Sequence, residues 1–229
     1  MLDALRAEVL EANLELVRRG LVIYTFGNAS AVDRATGLCV IKPSGVPYDK
    51  MIPADMVVTD LQGKTVEGKL RPSSDLPTHV ALYRAFPTIG GVVHTHSRHA
   101  TAWAQAQREI PCFGTTHADY FHGPIPVTEP LTPDEIEDDY EGNTGEAIIR
   151  RLEGLDPLGC PGCLVSGHAP FTWGATVAKA AQMAVIVEEI AAMAWETITI
   201  NPNAAPISEA QRDKHHFRKH GPEAYYGQK

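Results

Sequence analysis

Two segments in the first third of this chain carry the pattern of a β-hairpin, and this pattern constrains the fold more than any other feature. In the first, residues 30–33 and 38–41 flank a four-residue turn that ends in glycine. In the second, residues 56–59 and 64–67 flank a turn that contains a Gln-Gly pair. Short apolar runs joined by turns of this kind predict adjacent antiparallel strands. The chain must therefore build a sheet and cover it with other elements.

Segments with helical spacing supply that cover. Residues 2–19 have apolar positions near helical spacing, and Gly20 follows where a left-handed residue would end the helix. Ser74 or Asp75 can cap a second helix that ends near residue 86. Three more helices are predicted: one at 98–108, one that begins with a capping box at Thr132, and one at 175–198. Further strands are predicted at 90–96 and 164–166.

The bulk properties fit one compact domain. A length of 229 residues with 44% hydrophobic content is enough for one core, so we predict a single layered α/β domain over residues 1–229 with a mainly antiparallel or mixed sheet. The net charge of −8 argues against a nucleic-acid partner. The N-terminus lacks the pattern of a signal peptide, and the apolar run 183–195 is too short to cross a bilayer. We therefore expect a cytoplasmic protein without a membrane partner.

The four cysteines do not indicate a zinc ribbon or a redox centre. Cys160 and Cys163 have the spacing of half such a site, but Cys39 and Cys112 do not form a matching second half. The Pro-Gly-rich surroundings also lack the helix that would follow a thioredoxin-like motif. Reduced thiols without a functional role are the better interpretation.

Three histidines are candidates for a metal site. His94 and His96 are two residues apart on a predicted strand, so both rings would project from one face roughly 6.5 Å apart. His168 follows a short apolar strand in a loop that could present it to the same cleft. Catalytic zinc commonly uses three protein ligands and leaves a position open. Asp75 could add a carboxylate, although helix capping is an equally good explanation for it.

Other polar segments could bind an anion or transfer a proton. Three of them contain small residues or begin a helix, where backbone N–H groups favour phosphate; any one of them alone is more often a simple turn, and their value lies in combination. Asp119 lies in a predicted polar loop, 114–120, and is a candidate for proton transfer, with a solvated loop carboxylate as the alternative. The polar, aromatic C-terminus would ordinarily be frayed. The anion-binding candidates are Gly27-Asn28, Lys42-Pro43-Ser44-Gly45 and Ser73-Ser74.

Six runs of sequence together resemble the class II aldolase family, and within it the L-ribulose-5-phosphate 4-epimerases. The histidine pair and the Ser-Ser segment are shared with the wider family, which includes fuculose-phosphate aldolase. The Thr-Thr-His-Ala-Asp-Tyr run and the Tyr-Tyr-Gly-Gln ending indicate the epimerases more narrowly. The runs are Gly27-Asn28-Ala29-Ser30, Ile41-Lys42-Pro43-Ser44-Gly45, Arg71-Pro72-Ser73-Ser74-Asp75, His94-Thr95-His96-Ser97-Arg98-His99-Ala100, Gly114-Thr115-Thr116-His117-Ala118-Asp119-Tyr120, and Lys219-His220-Gly221 with Tyr225-Tyr226-Gly227-Gln228.

The resemblance implies a three-layer α/β/α sandwich with a central mixed, mainly antiparallel sheet. It also implies interconversion of L-ribulose 5-phosphate and D-xylulose 5-phosphate by retro-aldol cleavage and re-addition at the C3–C4 bond. It assigns zinc, or alternatively manganese or cobalt, to His94, His96, His168 and Asp75. The substrate phosphate would be held by Gly27, Asn28, Ser44, Gly45, Ser73 and Ser74, with Lys42 nearby.

The resemblance further implies a homotetramer with active sites between subunits. Asp119 and Tyr226 would be the acid/base pair, with the tyrosine supplied by a neighbouring subunit through the segment 208–229, and His215 could assist. Two departures from the family pattern are Ser166, where relatives often have a histidine, and Phe26, where an indole is expected. The alternatives are an aldolase that releases its fragments, an epimerase for a related pentulose phosphate, a metal-free adducin-head-like interaction module, and a metal-dependent transcription regulator.

Overall fold

The computed structural model describes residues 2–222 and 224–227, so Gln228 of the C-terminal run lies outside the described residues. In this part of the chain, the strands are β1 (Asn28–Asp33), β2 (Leu38–Ile41), β3 (Val57–Asp60), β4 (Thr65–Glu67), β5 (Gly91–His94), β6 (Gly162–Leu164) and β7 (Pro170–Gly174). The helices are α1 (Asp3–Arg18), α2 (Leu76–Ala85), α3 (Arg98–Gln105), α4 (Thr115–Ala118), α5 (Pro133–Arg151), α6 (Val177–Ile200) and α7 (Glu209–Phe217). Two short 3₁₀ helices cover Tyr48–Lys50 and Pro53–Asp55.

The sheet has the order β4-β3-β2-β1-β5-β7-β6, and both predicted hairpins lie in it. In the first hairpin, Ser30 pairs with Ile41. In the second, the register shifts between Val58 and Thr59, as a β-bulge does. All strand pairs of the described residues are antiparallel, and one isolated parallel bridge joins Val127 to Leu164.

Helices cover both faces of the sheet, which confirms the three-layer α/β/α sandwich. On one face, α1 and α6 pack against the sheet through residues such as Val9, Leu16 and Ala184. On the other face, α2 and α5 pack through residues such as Val80 and Ile148. Each layer therefore buries an apolar side that would otherwise face water. None of the helices in the described segments is long and apolar enough to cross a membrane.

Small residues bring α6 close to the sheet. A Cβ atom built on Gly91 would lie 2.3 Å from the Cα atom of Val177, the first residue of α6, and one on Gly90 would lie 2.2 Å from the carbonyl oxygen of Ala175. No side chain larger than hydrogen fits at such distances, so the Gly-Gly pair lets the helix start directly against β5. This contact fixes the strand that carries His94.

Several local predictions were wrong. The strand predicted at 90–96 ends at His94, because the chain turns there toward α3. The strand β7 was not predicted, and residues 114–120 form a short helix that ends beside Asp119 rather than an open loop. The expected frayed C-terminus contains α7, which packs on α4. Although Asp75 precedes α2, its side chain makes no capping hydrogen bond.

Candidate active site

Three histidines from two neighbouring strands meet at one end of the sheet. His94 ends β5, His96 lies two residues beyond it, and His168 lies in the turn between β6 and β7. Their ring centroids are 4.8, 4.8 and 5.0 Å apart, and one nitrogen from each lies within 4.8 Å of the others. The predicted histidine set is therefore brought together in space.

The two nearest nitrogens have the separation that a shared cation requires. His94 Nε2 and His96 Nε2 are 3.1 Å apart. This distance matches that between two nitrogens bound to one zinc ion at about 2.1 Å, which lie about 3.0–3.4 Å apart. The sequence-based spacing of roughly 6.5 Å was too long because it placed both residues in the strand. The turn after His94 brings the His96 ring back toward the His94 ring.

The His94 ring is held in the orientation of a ligand. Its Nδ1 lies 3.0 Å from the carbonyl oxygen of Pro170, and a proton on that nitrogen leaves Nε2 with a free lone pair that faces His96. Its ring also stacks on Phe171, with centroids 4.2 Å apart and an interplanar angle of 17°. These contacts set both the tautomer and the plane of the imidazole.

Burial keeps the three imidazoles neutral. Burial, together with the neighbouring His168 and His96, lowers the pKa of His94 well below its usual value. Burial also lowers the pKa of His96 and of His168, although Asp75 partly opposes the shift in both cases. Neutral imidazoles offer lone pairs to a divalent cation. The residues present therefore fit a metal ion.

Asp75 lies beside this cluster but outside the group of mutually close donor atoms. Its carboxylate accepts a hydrogen bond from Nδ2 of Asn28, and the donors within 4.8 Å of one another are the three histidines. The role of Asp75 as a fourth ligand stays a prediction.

The three predicted anion-binding segments meet next to the histidines. Nδ2 of Asn28 donates to Oγ of Ser73 over 3.0 Å, the backbone N–H of Ser73 donates to the carbonyl of Lys42 over 2.9 Å, and the backbone N–H of Ser44 donates to the carbonyl of Arg71 over 2.9 Å. Pairing of β1 with β5 places Asn28 opposite His94. Backbone and side-chain hydrogen bonds between distant segments thus assemble one polar rim, where Ser44, Gly45 and Ser74 are exposed.

Gly27 connects this rim to the metal cluster. Its backbone has φ of +74°, and a Cβ atom there would lie 2.8 Å from the carbonyl oxygen of His94. Only glycine satisfies both conditions. The close approach allows the loop before β1 to lie against the end of β5.

Lys42 has a buried amine under the same rim. Its side chain is 2% exposed, and Nζ lies 3.4 and 3.3 Å from the carbonyl oxygens of Thr25 and Pro43 and 4.8 Å from the ring centre of Tyr48. Burial lowers the pKa of Lys42 to about 8, against an opposing effect of Asp75. The amine is therefore mostly charged at neutral pH and loses its proton in mild alkali.

Asp119 and Tyr226 form a second cluster in the same chain. The Asp119 carboxylate binds Arg218, Lys219 and His215, and Tyr226 stacks on the first two of these. Burial alone would raise the pKa of Asp119, but hydrogen bonds from Arg218, Lys219 and His215 outweigh burial and leave it lowered. Asp119 is thus an ionised carboxylate that can accept a proton.

This second cluster lies away from the histidines of its own chain. Asp119 and Tyr226 line a cleft of about 420 Å³ beside Gly174, the last residue of β7. Gly174 pairs with the first residue of β5, whereas His94 is the last. Three residues of strand separate the two ends by about 10 Å. The structure therefore does not bring the predicted acid/base pair to the metal cluster within one chain.

Several residues of the site were not predicted. Phe171 lies in the strand that sequence reasoning missed, and a Pro-Phe-Thr-Trp run after His168 is the signal that could have revealed it. The hydroxyl of Tyr140 lies 3.5 Å from Nδ1 of His168, beside a break in α5 at Asp139. Arg218 and Lys219 stand out in the sequence as a basic pair, but Asp119, the carboxylate that they bind, lies about a hundred residues earlier.

The family of the chain follows from its match to known proteins. A profile of the Class II Aldolase and Adducin N-terminal domain family matches residues 7–195. The chain therefore belongs to the class II aldolase family, as its sequence motifs predicted. The class II aldolase family is metal-dependent, and the three histidines of this chain form a cluster that could hold a metal ion.

Within the family, the chain is similar to L-ribulose-5-phosphate 4-epimerases. It is 55% identical over 228 residues to the L-ribulose-5-phosphate 4-epimerase UlaF of Salmonella paratyphi A, and the match covers 100% of both chains. UlaF of Salmonella typhi matches to the same extent. Among solved structures, an L-fuculose 1-phosphate aldolase superposes with a TM-score of 0.78 at 23% identity, covering 93% of this chain and 94% of the other. That likeness confirms the fold.

Proposed function

We propose that this protein is an L-ribulose-5-phosphate 4-epimerase, an isomerase that interconverts L-ribulose 5-phosphate and D-xylulose 5-phosphate in sugar metabolism. The observation that carries the proposal is the full-length identity of 55% to curated enzymes of that name. The cluster of three neutral histidines beside a polar rim supports it independently.

The chemistry of the substrate explains the need for a metal and a phosphate grip. The hydrogen on C4 is not acidic, so inversion there is achieved by breaking the C3–C4 bond, rotating the resulting aldehyde, and forming the bond again on its other face. A divalent cation bound by His94, His96 and His168 supplies a Lewis acid for the ketone and its neighbouring hydroxyl. We assign this position to zinc, with manganese or cobalt as alternatives, and Asp75 as an additional ligand.

The polar rim keeps the aldehyde fragment in place between the two steps. We assign the substrate phosphate to this rim, where Asn28 contacts Ser73 and where Ser44 and Ser74 are exposed. Lys42 contributes positive charge from below. Gly27, Gly45 and Ser73 complete the proposed grip. Without it, the fragment would diffuse away and the enzyme would act as an aldolase.

We assign the proton transfers to Asp119 and Tyr226. One group accepts the proton of the C4 hydroxyl when the C3–C4 bond breaks, and the other returns a proton to the new hydroxyl after the aldehyde has rotated. The ionised state of Asp119 suits it to accept, and a phenol suits the donor. His215 is 3.2 Å from Asp119 and can assist.

Because the two clusters are apart in one chain, we propose that the active site forms between subunits of a homotetramer. The segment 208–229 carries Tyr226 and also binds Asp119, so both groups would come together from the neighbouring subunit. Residues 1–229 act as one domain in this proposal, and we place the assembly in the cytoplasm.

Subunit complementation tests the shared site. Two inactive variants, His96→Asn and Tyr226→Phe, are unfolded, mixed and refolded together. Mixed tetramers contain sites with an intact metal cluster from one chain and an intact tyrosine from the other, so activity should reappear. Each variant refolded alone provides the control. Mixed tetramers that stay inactive, with wild-type chains refolding to full activity, would show that each chain uses its own tyrosine.

Product analysis separates the main alternatives. Incubation with L-ribulose 5-phosphate should give D-xylulose 5-phosphate, whereas an aldolase would release glycolaldehyde phosphate, and an epimerase for another pentulose phosphate would leave this substrate unchanged. A metal-free interaction module in the manner of adducin would bind neither metal nor substrate. The three-histidine cluster favours the enzyme.

A further inference from the structure

The carboxylate of Asp119 is fixed by a cationic clamp from the C-terminal segment. Asp119 is 8% exposed. Arg218 donates to both of its oxygens, from Nε to Oδ1 over 3.1 Å and from Nη2 to Oδ2 over 2.8 Å. Nζ of Lys219 lies 3.1 Å from Oδ2, and Nδ1 of His215 lies 3.2 Å from Oδ1.

The same clamp holds the tyrosine. The guanidinium carbon of Arg218 lies 4.8 Å from the ring centre of Tyr226, and Nζ of Lys219 lies 4.6 Å from it. Lys219 also lies over the ring of Tyr120, at 4.5 Å. Tyr226 is 61% exposed, so its ring is located by these contacts together with the hydrogen bond from its backbone N–H to the carbonyl of Arg218, over 3.0 Å.

We propose that Arg218 is a positioning residue that ties the Asp119 carboxylate to the Tyr226 ring, so that both proton-transfer groups reach the substrate as one unit. This inference rests on the proposed function, in which Asp119 and Tyr226 are the acid/base pair. Arg218 is better suited than Lys219 because its planar fork fixes both carboxylate oxygens and stacks flat on an aromatic ring. A lysine ammonium acts as a point charge and fixes neither plane.

Positioning matters more for an epimerase than for an aldolase. After the C3–C4 bond breaks, the second proton-transfer group must act before the aldehyde escapes from the site. A displacement of about 1 Å can cost about a hundredfold in rate. If Arg218 sets the distance between the two groups, its loss will slow re-addition and increase the share of substrate that leaves as free glycolaldehyde phosphate.

The pH dependence of the rate provides a second test of the positioning role of Arg218. Arg218, Lys219 and His215 face the carboxylate directly, the Nε2 atom of His220 faces the Asp119 backbone carbonyl over 2.9 Å, and Lys179 of α6 lines the same cleft. Removing Arg218 deletes the cation with two hydrogen bonds to Asp119. The acid limb of the rate profile, where Asp119 gains its proton, should therefore move to higher pH.

The experiment compares Arg218→Met and Arg218→Lys with a matched control, Arg212→Met. Arg212 lies on α7 in the same segment but pairs with Asp213 and Glu209 rather than with Asp119. For each metal-loaded holoenzyme, the rate of epimerisation, the ratio of D-xylulose 5-phosphate to free glycolaldehyde phosphate, and the pH profile are measured with and without added guanidinium.

We expect Arg218→Met to lower kcat about a hundredfold, to release more aldehyde, to shift the acid limb upward and to regain rate with guanidinium. Arg218→Lys should show the same changes more weakly, and the Arg212 control should resemble wild type. A product ratio and acid limb that stay at wild-type values in both Arg218 variants, or a rate loss that guanidinium does not restore, would overturn the inference. Asp119→Asn distinguishes the positioning role of Arg218 from the acid/base role of Asp119. An Asp119→Asn variant with full activity would refute the acid/base role itself.

Discussion

Replacing Phe171 with leucine tests whether the stacked ring beneath His94 contributes to metal binding. Phe171 is fully buried, lies directly opposite His94 across the β5–β7 pair, and stacks on its imidazole at 4.2 Å. Leucine keeps an apolar side chain there but removes the flat surface. The hydrogen bond between Nδ1 of His94 and the Pro170 carbonyl is retained, so the variant removes only the stacking contact.

The magnitude follows from the energy of the stack. An aromatic pair is worth about 0.5–1.5 kcal/mol beyond its buried area. If this energy holds the imidazole in its ligand orientation, its loss weakens metal binding by about 2- to 12-fold, since 1.4 kcal/mol corresponds to a factor of ten. The smaller side chain also lowers the free energy of unfolding by about 1–3 kcal/mol.

Competition with a chelating dye measures the metal affinity, and urea denaturation measures the stability. Phe121→Leu is the matched control, because Phe121 is equally buried but belongs to the cluster of Trp103 and Ile125 on another part of the sheet. It should lose stability without losing metal affinity. Equal metal affinities in the Phe171 variant, the control and the wild type would refute the reasoning about the stacked ring.

Three further outcomes follow from the site. Lys42→Met should raise KM for L-ribulose 5-phosphate at neutral pH. In the wild type, KM should rise as pH increases through about 8, because the buried amine then loses its charge. Steady-state kinetics from pH 7 to 9 will show whether the variant lacks this rise. Ser73→Ala should raise KM with little change in metal content, since it removes the hydroxyl that Asn28 contacts; kinetics and metal analysis on one sample check both. Gly27→Ala should lower the free energy of unfolding by about 1–3 kcal/mol, because the residue is left-handed and crowded by the His94 carbonyl; a urea titration equal to wild type would count against this explanation.

The elements marked by local signals were predictable from sequence. The hairpin turns place glycine where the chain needs it, with φ of +69° at Gly37 and +83° at Gly63. The capping box at Thr132 forms as predicted, with its side chain accepting from the backbone of Glu135. These features depend on residues a few positions apart, so periodicity and turn chemistry reveal them.

The parts that depend on distant residues were not predictable in detail. Strand β5 ends at His94, where its pairing with β1 and β7 also ends and the chain turns toward α3. Helix α7 is strongly polar and gains its place from Asp119, almost a hundred residues earlier. The identities of the three histidines were predicted, but their separation depends on a turn that sequence spacing does not reveal.

Metal reconstitution tests the central claim, that three histidines hold one cation on which turnover depends. The purified protein is stripped with a chelator and titrated with zinc, and conversion of L-ribulose 5-phosphate to D-xylulose 5-phosphate is followed at each addition. We predict that the stripped protein is inactive and that activity rises linearly to a break at one zinc per chain, with no rise for His94→Asn. Full epimerase activity in the stripped protein, or in a His94 variant that binds no metal, would contradict the account.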